Sequence, residues 1–315
     1  MIQLKPITDL PAPAIYFPIT GDQYSTRAGL SRFGTDFGNG EQDKQLFQFD
    51  NQFNDYRHNK LTVRKHAIND YVCTDAITPS VLTAASKWLL QHLCLEHPDK
   101  FSLHKSSKGM QLDCLLSGER IFIDNDYRLS PQNNLAFTDL FDALALQVQE
   151  DICLMQVSES ATKLAAAHLC AANHWSARDK LHMDMSLLHH YVPGFSDDNR
   201  EPDKLLQGIA NKNESYVRFA WGLCEHAILN QHPNKASITE PNDALFMRIE
   251  RQVISPIANT EILLFTIRTY FRDCITLMPE QRDSLIYAVN SMSEATLKYK
   301  NINKTGVLNK LNQEV

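Results

Sequence analysis

The chain has 315 residues and a formal net charge of −6. That length supports one large domain or two small ones with a sizeable core. The acidic balance and the lack of a Lys/Arg-rich run exclude a general polyanion binder, and no nucleic-acid-binding signature stands out.

Residues 1 to about 75 are mixed in pattern. Pro6, Pro11, Pro13 and Pro18 predict an extended arm rather than a helix. The Gly-rich run Phe33–Glu41 is not followed by Lys-Ser or Lys-Thr. It reads as a turn, not a phosphate-binding loop. From Thr78-Pro79 the signal sharpens into an amphipathic helix carrying Val81, Leu82, Ala85, Trp88, Leu89 and Leu93. Met110 to Ile123 predicts two short strands around the turn Ser117-Gly118, and Leu135 to Gln149 predicts a second helix.

Asp151–Val157 and Lys163–Ala171 read as strands joined by the polar hairpin loop Ser158-Glu159-Ser160. The stretch from Asn173 to Phe195 follows. Ser176 stands three residues before Asp179, a helix-start signature. No Gly or Pro interrupts the chain again until Pro193-Gly194, so one long helix is expected. Its apolar face would carry Leu181, Met185 and Leu188, with His182 and His189 seven residues apart on nearly the same side. An apolar helix face ending in a histidine suits a buried haem. A histidine near a helix end also interacts favourably with the terminal carbonyls, without any ligand.

A helix over 203–212 comes next, then three strands at 216–224, 245–254 and 261–271, and a final helix from about 279 to 299. Two strands, helices, three strands and a helix make an α+β fold. The element order matches a PAS-like antiparallel five-stranded sheet with inserted helices, elaborated by an N-terminal helical and extended region. The expected divisions are 1–108 for that elaboration, 109–300 for the core and 301–315 for a tail.

Alternation splits each strand into two faces. One set holds Arg218, Ala220 and Gly222; another Arg248, Glu250 and Gln252; a third Thr266, Arg268 and Tyr270. Each of the three strands thus offers a face with an arginine, suited to holding a carboxylate or a haem propionate. The same pattern also arises when one face of an antiparallel sheet simply meets water.

The seven cysteines are scattered and none forms C-x-x-C. A zinc ribbon, a thioredoxin-type site and a covalent c-type haem are therefore not expected. A non-haem metal site from His168, His174, His182, His226 or His232 lacks H-E-x-x-H and regular spacing. No leader and no membrane-length apolar run is read, and a reducing cytoplasm is expected.

Six fragments in order carry a resemblance. They are VQEDICLM, LAAAHLCAANHWSARDKL, LLHHYVPGF, VRFAWGLCEHAIL, LFMRIERQVI and LLFTIRTY. Together they resemble the haem-binding alpha-subunit family of the haem-dependent oxidative N-demethylases, most strongly from Gln149 to Tyr270. The family pattern places a histidine three residues before Val-Pro-Gly, which falls on His189. Its R-x-E-R-Q falls on Arg248, Glu250, Arg251 and Gln252, and its F-T-I-R-T-Y on Phe265 to Tyr270. The family's N-W-S-L is here Ala220-Trp221-Gly222-Leu223, its Pro-Ser-Arg-Trp is Ala172-Asn173-His174-Trp175, and a Pro before Val-Pro-Gly is Tyr191.

The resemblance implies haem b with His189 as the iron ligand, Arg248, Arg251 or Arg268 on the propionates, and Trp175 and Met185 lining the group. It implies Glu250 or Tyr270 for the amine or a proton. It also implies oxidation of a secondary N-methyl amine with O2, releasing formaldehyde. The chain shows no nucleotide fingerprint and no cysteine set for a cluster, so a separate flavin or iron–sulfur reductase would supply electrons. The alternative expectation is a non-catalytic haem or ligand sensor or carrier on the same scaffold.

Overall fold

A computed structural model describes residues 4, 7–21, 23–25, 29–133, 136–194, 201–235 and 242–312. Pro6, Leu135 and Phe195 of the sequence reading lie outside them, as do tail residues 313–315.

The N-terminal region gives the short strand β1 (Ser31–Arg32), helix α1 (Phe53–Tyr71), the short strand β2 (Val72–Cys73) and helix α2 (Pro79–Glu96). Strands β3 (Phe101–Ser106), β4 (Gly109–Cys114) and β5 (Glu119–Ile123) form a separate antiparallel sheet, followed by the short helix α3 (Leu140–Ala145). Next come β6 (Asp151–Val157), β7 (Thr162–His168), and the helices α4 (Ala177–Lys180), α5 (Met185–His189) and α6 (Pro202–Lys212). Strands β8 (Tyr216–Cys224), β9 (Phe246–Pro256) and β10 (Ile262–Asp273) lead to α7 (Pro279–Ser291), α8 (Glu294–Tyr299) and α9 (Lys304–Asn312).

The fold is α+β. The large sheet runs β1-β8-β9-β10-β6-β7-β2, every neighbouring pair antiparallel. It has seven strands where five were expected, because the N-terminal region adds β1 and β2 at its two edges. The expected division at residue 108 falls inside the β3–β4 hairpin.

Helix α1 is absent from the sequence reading for a definable reason. Its buried positions are Phe53, Tyr56, Lys60, Val63 and Tyr71, so a lysine occupies the middle of the inward stripe. The Lys60 ammonium is fully enclosed and donates to the carbonyls of Ala145 (2.8 Å), Val148 (3.0 Å) and Glu150 (2.5 Å). A cation in the stripe hides the apolar period from a sequence reading.

The two faces of the large sheet bury different things. One face, carrying Cys153, Met155, Ile254, Leu263, Phe265 and Ile267, packs under Trp175, Leu181, Met185, Leu188, Leu206 and Ile209 of the α4–α6 region. The opposite face, carrying Ile152, Leu154, Val217 and Val253, packs on α2, α3 and the small sheet. Met247, Ile249 and Tyr270 on that same side meet α7 and α9. Among the described residues no helix is long and apolar enough to cross a membrane.

Candidate functional site

The expected single helix from Ser176 to Val192 is two short ones. Ser176 caps α4 as expected, its hydroxyl accepting from the Asp179 N–H at 3.3 Å. The chain then leaves the helix: Leu181 is extended and His182 takes φ +66°. The cause is β7. Strand β2 covers only Ala167 and His168 of its outer edge. Residues 182–183 cover Leu164 instead, through His182 N–H to Leu164 O (3.0 Å) and Leu164 N–H to Met183 O (3.1 Å). An edge strand's unpaired groups thus override the helical pattern. His182 and His189 consequently do not share one helix face.

Asp184 restarts the chain as α5, accepting from the Leu187 N–H at 2.7 Å. Asp203 at the start of α6 accepts from the Ser186 hydroxyl (2.8 Å) and the Thr162 N–H (2.7 Å), tying α5, α6 and β7 together. His189 ends α5, half-buried, while His190 is exposed. The Nδ1 atom of His189 lies 2.9 Å from Met185 O. A carbonyl only accepts, so Nδ1 carries the proton and the Nε2 lone pair is the basic one. Burial pushes the His189 pKa down, the Met185 hydrogen bond raises it, and the nearby charges of Arg218 and Lys180 lower it further. A neutral imidazole with a basic Nε2 is the metal-binding form.

The strand register decides which of the expected residues share the sheet face that α4–α6 cover. Ala220 pairs with Glu250, Gly222 with Arg248 and Arg218 with Gln252. Glu250 pairs in turn with Thr269, and Arg248 with Phe271. These residues share the α4–α6 face. Arg268 pairs with Arg251 and Tyr270 with Ile249, on the opposite face. The three arginine-bearing sets therefore do not form one polar surface: β10 turns its arginine away from those of β8 and β9.

Arg248 is buried and spent on the protein. It donates to Ile228 O and Leu229 O (both 3.1 Å) and to Ala171 O (2.5 Å), with Glu250 Oε1 at 3.4 Å. Gln252 donates to the other Glu250 oxygen at 3.1 Å. Arg251 donates to Asp43 O (3.3 Å) and Gln45 O (2.9 Å). Arg268 pairs with Asp50 at 2.5 Å beneath the rings of Tyr56 and Tyr270, and Tyr270 donates to Gln48 Oε1 at 2.5 Å. Arg251, Arg268 and Tyr270 thus anchor the N-terminal segment, away from His189. Trp175 and Met185 are brought together on the helix side of the same apolar cluster.

Arg218, missing from the expected ligand set, lies on the α4–α6 face of β8 and acts on His189 electrostatically. The alternation that grouped it with Ala220 and Gly222 was the signal for it. Above Gly222 a Cβ would meet no other atom within 4 Å. Its φ is ordinary, so the backbone does not require glycine there; the missing side chain leaves room on the His189 face. The imidazole of His189 and the apolar side chains Trp175, Met185 and Leu188 are of the kind that holds a flat, largely apolar prosthetic group.

A second set, Asp151, His168 and Cys170, is fully buried with ligand atoms within 4.8 Å of one another, and could hold a metal ion by its chemistry. Both Asp151 oxygens already accept backbone N–H groups of Cys170 and Ala171, and His168 Nε2 meets Asp142 at 3.1 Å. The charge of Lys60 acts on both Asp151 and Cys170. Cys170 Sγ lies 3.7 Å from His168 Nδ1, so all three groups already have partners within the chain.

Residues 39–308 match the family described as haem-dependent oxidative N-demethylase, alpha subunit-like. No curated protein matches the chain.

Proposed function

Because the chain belongs to the haem-dependent oxidative N-demethylase, alpha subunit-like family, we propose that it binds haem b between the large sheet and α4–α6 and demethylates a secondary N-methyl amine with O2. The mid-chain helices covering one face of the antiparallel sheet support a PAS-like reading of this arrangement. Bound haem would supply the redox chemistry, and the chain's own groups would set geometry and access.

The observation that carries the reading is the His189 Nδ1 contact with Met185 O, which fixes the tautomer a ligand needs. His189 would be the iron ligand, and Trp175 and Met185 would line the group. Arg218 takes the propionate role expected of Arg251 and Arg268, which serve the other face. Arg248 holds Glu250, and Glu250 receives the ammonium of the amine. Tyr270 takes no part in the proton chemistry. Electrons come from a separate flavin or iron–sulfur reductase, and the site of action is the cytoplasm.

The test is an absorption spectrum with a pyridine haemochrome assay on freshly purified protein. A panel of methylated amines is then titrated, and formaldehyde is measured with a chemical reductant and O2. Stoichiometric haem, amine-induced spectral shifts and formaldehyde are expected. No haem in protein from haem-replete cells rejects the whole reading. Haem without shifts or formaldehyde leaves the sensor or carrier reading in its place. That second reading has one observation in its favour: both Glu250 oxygens already have partners within the chain.

A further inference from the structure

At the outer edge of the large sheet one lysine sits between two aromatic rings. Strand β1 covers only Tyr216 and Val217 of β8. Farther along β8, Lys300, which follows α8, donates from Nζ to the Trp221 carbonyl. The same nitrogen lies 5.1 Å from the centroid of the Tyr24 ring and 5.6 Å from that of the Trp221 ring. The two rings meet edge-on, with centroids 5.7 Å apart and planes at 77°, so they wall a corner with the nitrogen in it. Tyr24 is tied in place by its backbone N–H, which donates to Ser291 Oγ of α7 at 2.7 Å.

That corner makes the amine reactive. Burial pushes the Lys300 pKa down to about 8; the Glu250 charge opposes the fall and the Arg218 charge adds to it. A lysine that is partly desolvated and near another cation is the activated, nucleophilic form. Lys60 is also lowered, but it is enclosed and spent on three carbonyls. Lys300 is only half-buried. The corner also suits what an amine forms with a carbonyl compound. A protonated imine carries one N–H and one positive charge. The Trp221 carbonyl can accept that N–H, and the two rings favour the charge. An ammonium brings three N–H groups to the same carbonyl.

We propose that Lys300 captures a small aldehyde as an imine in the Tyr24–Trp221 corner, and that the aldehyde is formaldehyde. The Nζ lone pair adds to the carbonyl carbon, and the carbonyl oxygen takes up the proton that Nζ loses. Water then leaves as the C=N bond forms, and no oxidant or reductant is consumed. The choice of formaldehyde rests on the demethylation reading, in which that product arises near Glu250, whose charge acts on Lys300. Capture holds the product until water releases it.

The test treats the full chain at neutral pH with substoichiometric formaldehyde and cyanoborohydride, which reduces an imine to N-methyl-lysine. Peptide mass spectrometry then reads every lysine. Lys300 should carry at least about tenfold more methyl than the exposed Lys105, Lys108 and Lys204, since each unit by which a lysine pKa falls gives tenfold more free amine at neutral pH. Tyr24→Leu should cut that lead about two- to fivefold by removing one ring from the cation. Methyl groups spread evenly over the exposed lysines overturn the proposal, and so does an unchanged lead in Tyr24→Leu. If that variant does not fold, the distribution on the unaltered chain decides. The aldehyde is added from outside, so the result does not depend on bound haem. A chain that traps formaldehyde at Lys300 but holds no haem keeps the capture site and rejects the demethylase reading.

Discussion

The imidazole of His189 donates from Nδ1 to the carbonyl of Met185, one turn earlier in α5, at 2.9 Å. His190, the next residue, is exposed, and its ring meets that of Tyr191 edge-on at 5.4 Å between centroids. Two adjacent histidines are therefore different chemical objects. His189→Ala should lower haem affinity by more than the about 10- to 100-fold that loss of a ligand's supporting contact typically costs. His190→Ala should leave haem content and the Soret band unchanged. Equal haem loading in wild type and His189→Ala would remove His189 from the ligand position.

The ion pair of Arg268 with Asp50 is enclosed, at 0% and 2% side-chain exposure. Asp50→Ala would leave the guanidinium buried without its partner, a change that costs about 3–5 kcal/mol. Urea denaturation should show that loss. Haem bound per folded molecule should stay as in wild type, because the pair lies on the opposite sheet face. A haem-binding defect at unchanged stability would restore Arg268 to the propionate role.

Glu96 sits at the end of α2 and accepts from the Leu46 N–H (2.6 Å) and the Phe47 N–H (3.0 Å). Burial by itself would raise its pKa. The His92 and His97 imidazoles, 3.6 and 3.1 Å from its carboxylate, and the hydrogen bonds from these two backbone groups outweigh burial and carry it down from 4.5 to about 2. A folded-state pKa below the unfolded one gives stability that is present above pH 4.5 and lost as the pH falls toward 2. Glu96→Gln should cost about 3 kcal/mol at neutral pH, each pKa unit being worth about 1.4 kcal/mol. The gap between wild type and variant should close on acidification through that window. A gap independent of pH would assign the effect to shape rather than charge.

All seven cysteines are free thiols, and none is exposed. Burial pushes Cys73, Cys94 and Cys224 to about 11 and Cys274 to about 12, and raises Cys114, Cys153 and Cys170 further. The thiolate is the reactive form. An aromatic disulfide reagent at pH 8 should therefore label the native chain slowly and all seven sites quickly in denaturant. Rapid labelling of one native site would mark a local opening there.

Much of the core was legible because strands with alternating or continuous apolar patterns name themselves. Asp151–Val157 and Tyr216–Cys224 fall where expected, and the remaining core strands within a few residues. The capping hydroxyl of Ser176 and the Pro at the start of α2 were likewise local signals with local consequences. Helix α1 was not legible, since its inward stripe includes Lys60, whose partners are carbonyls 85 to 90 residues away. The break in the His182–His189 segment was not legible either. It depends on a free strand edge supplied by β7.

The sequence by itself determined the α+β class and the order of the core strands. These follow from composition and period, which act over a few residues. Only the tertiary structure decided which arginines serve which side of the sheet. Alternation gives each strand two faces but not their relative orientation, and that depends on register between strands. In this chain register sets Arg248 and Glu250 on the α4–α6 face, and turns Arg251, Arg268 and Tyr270 into the clamp on residues 43–50.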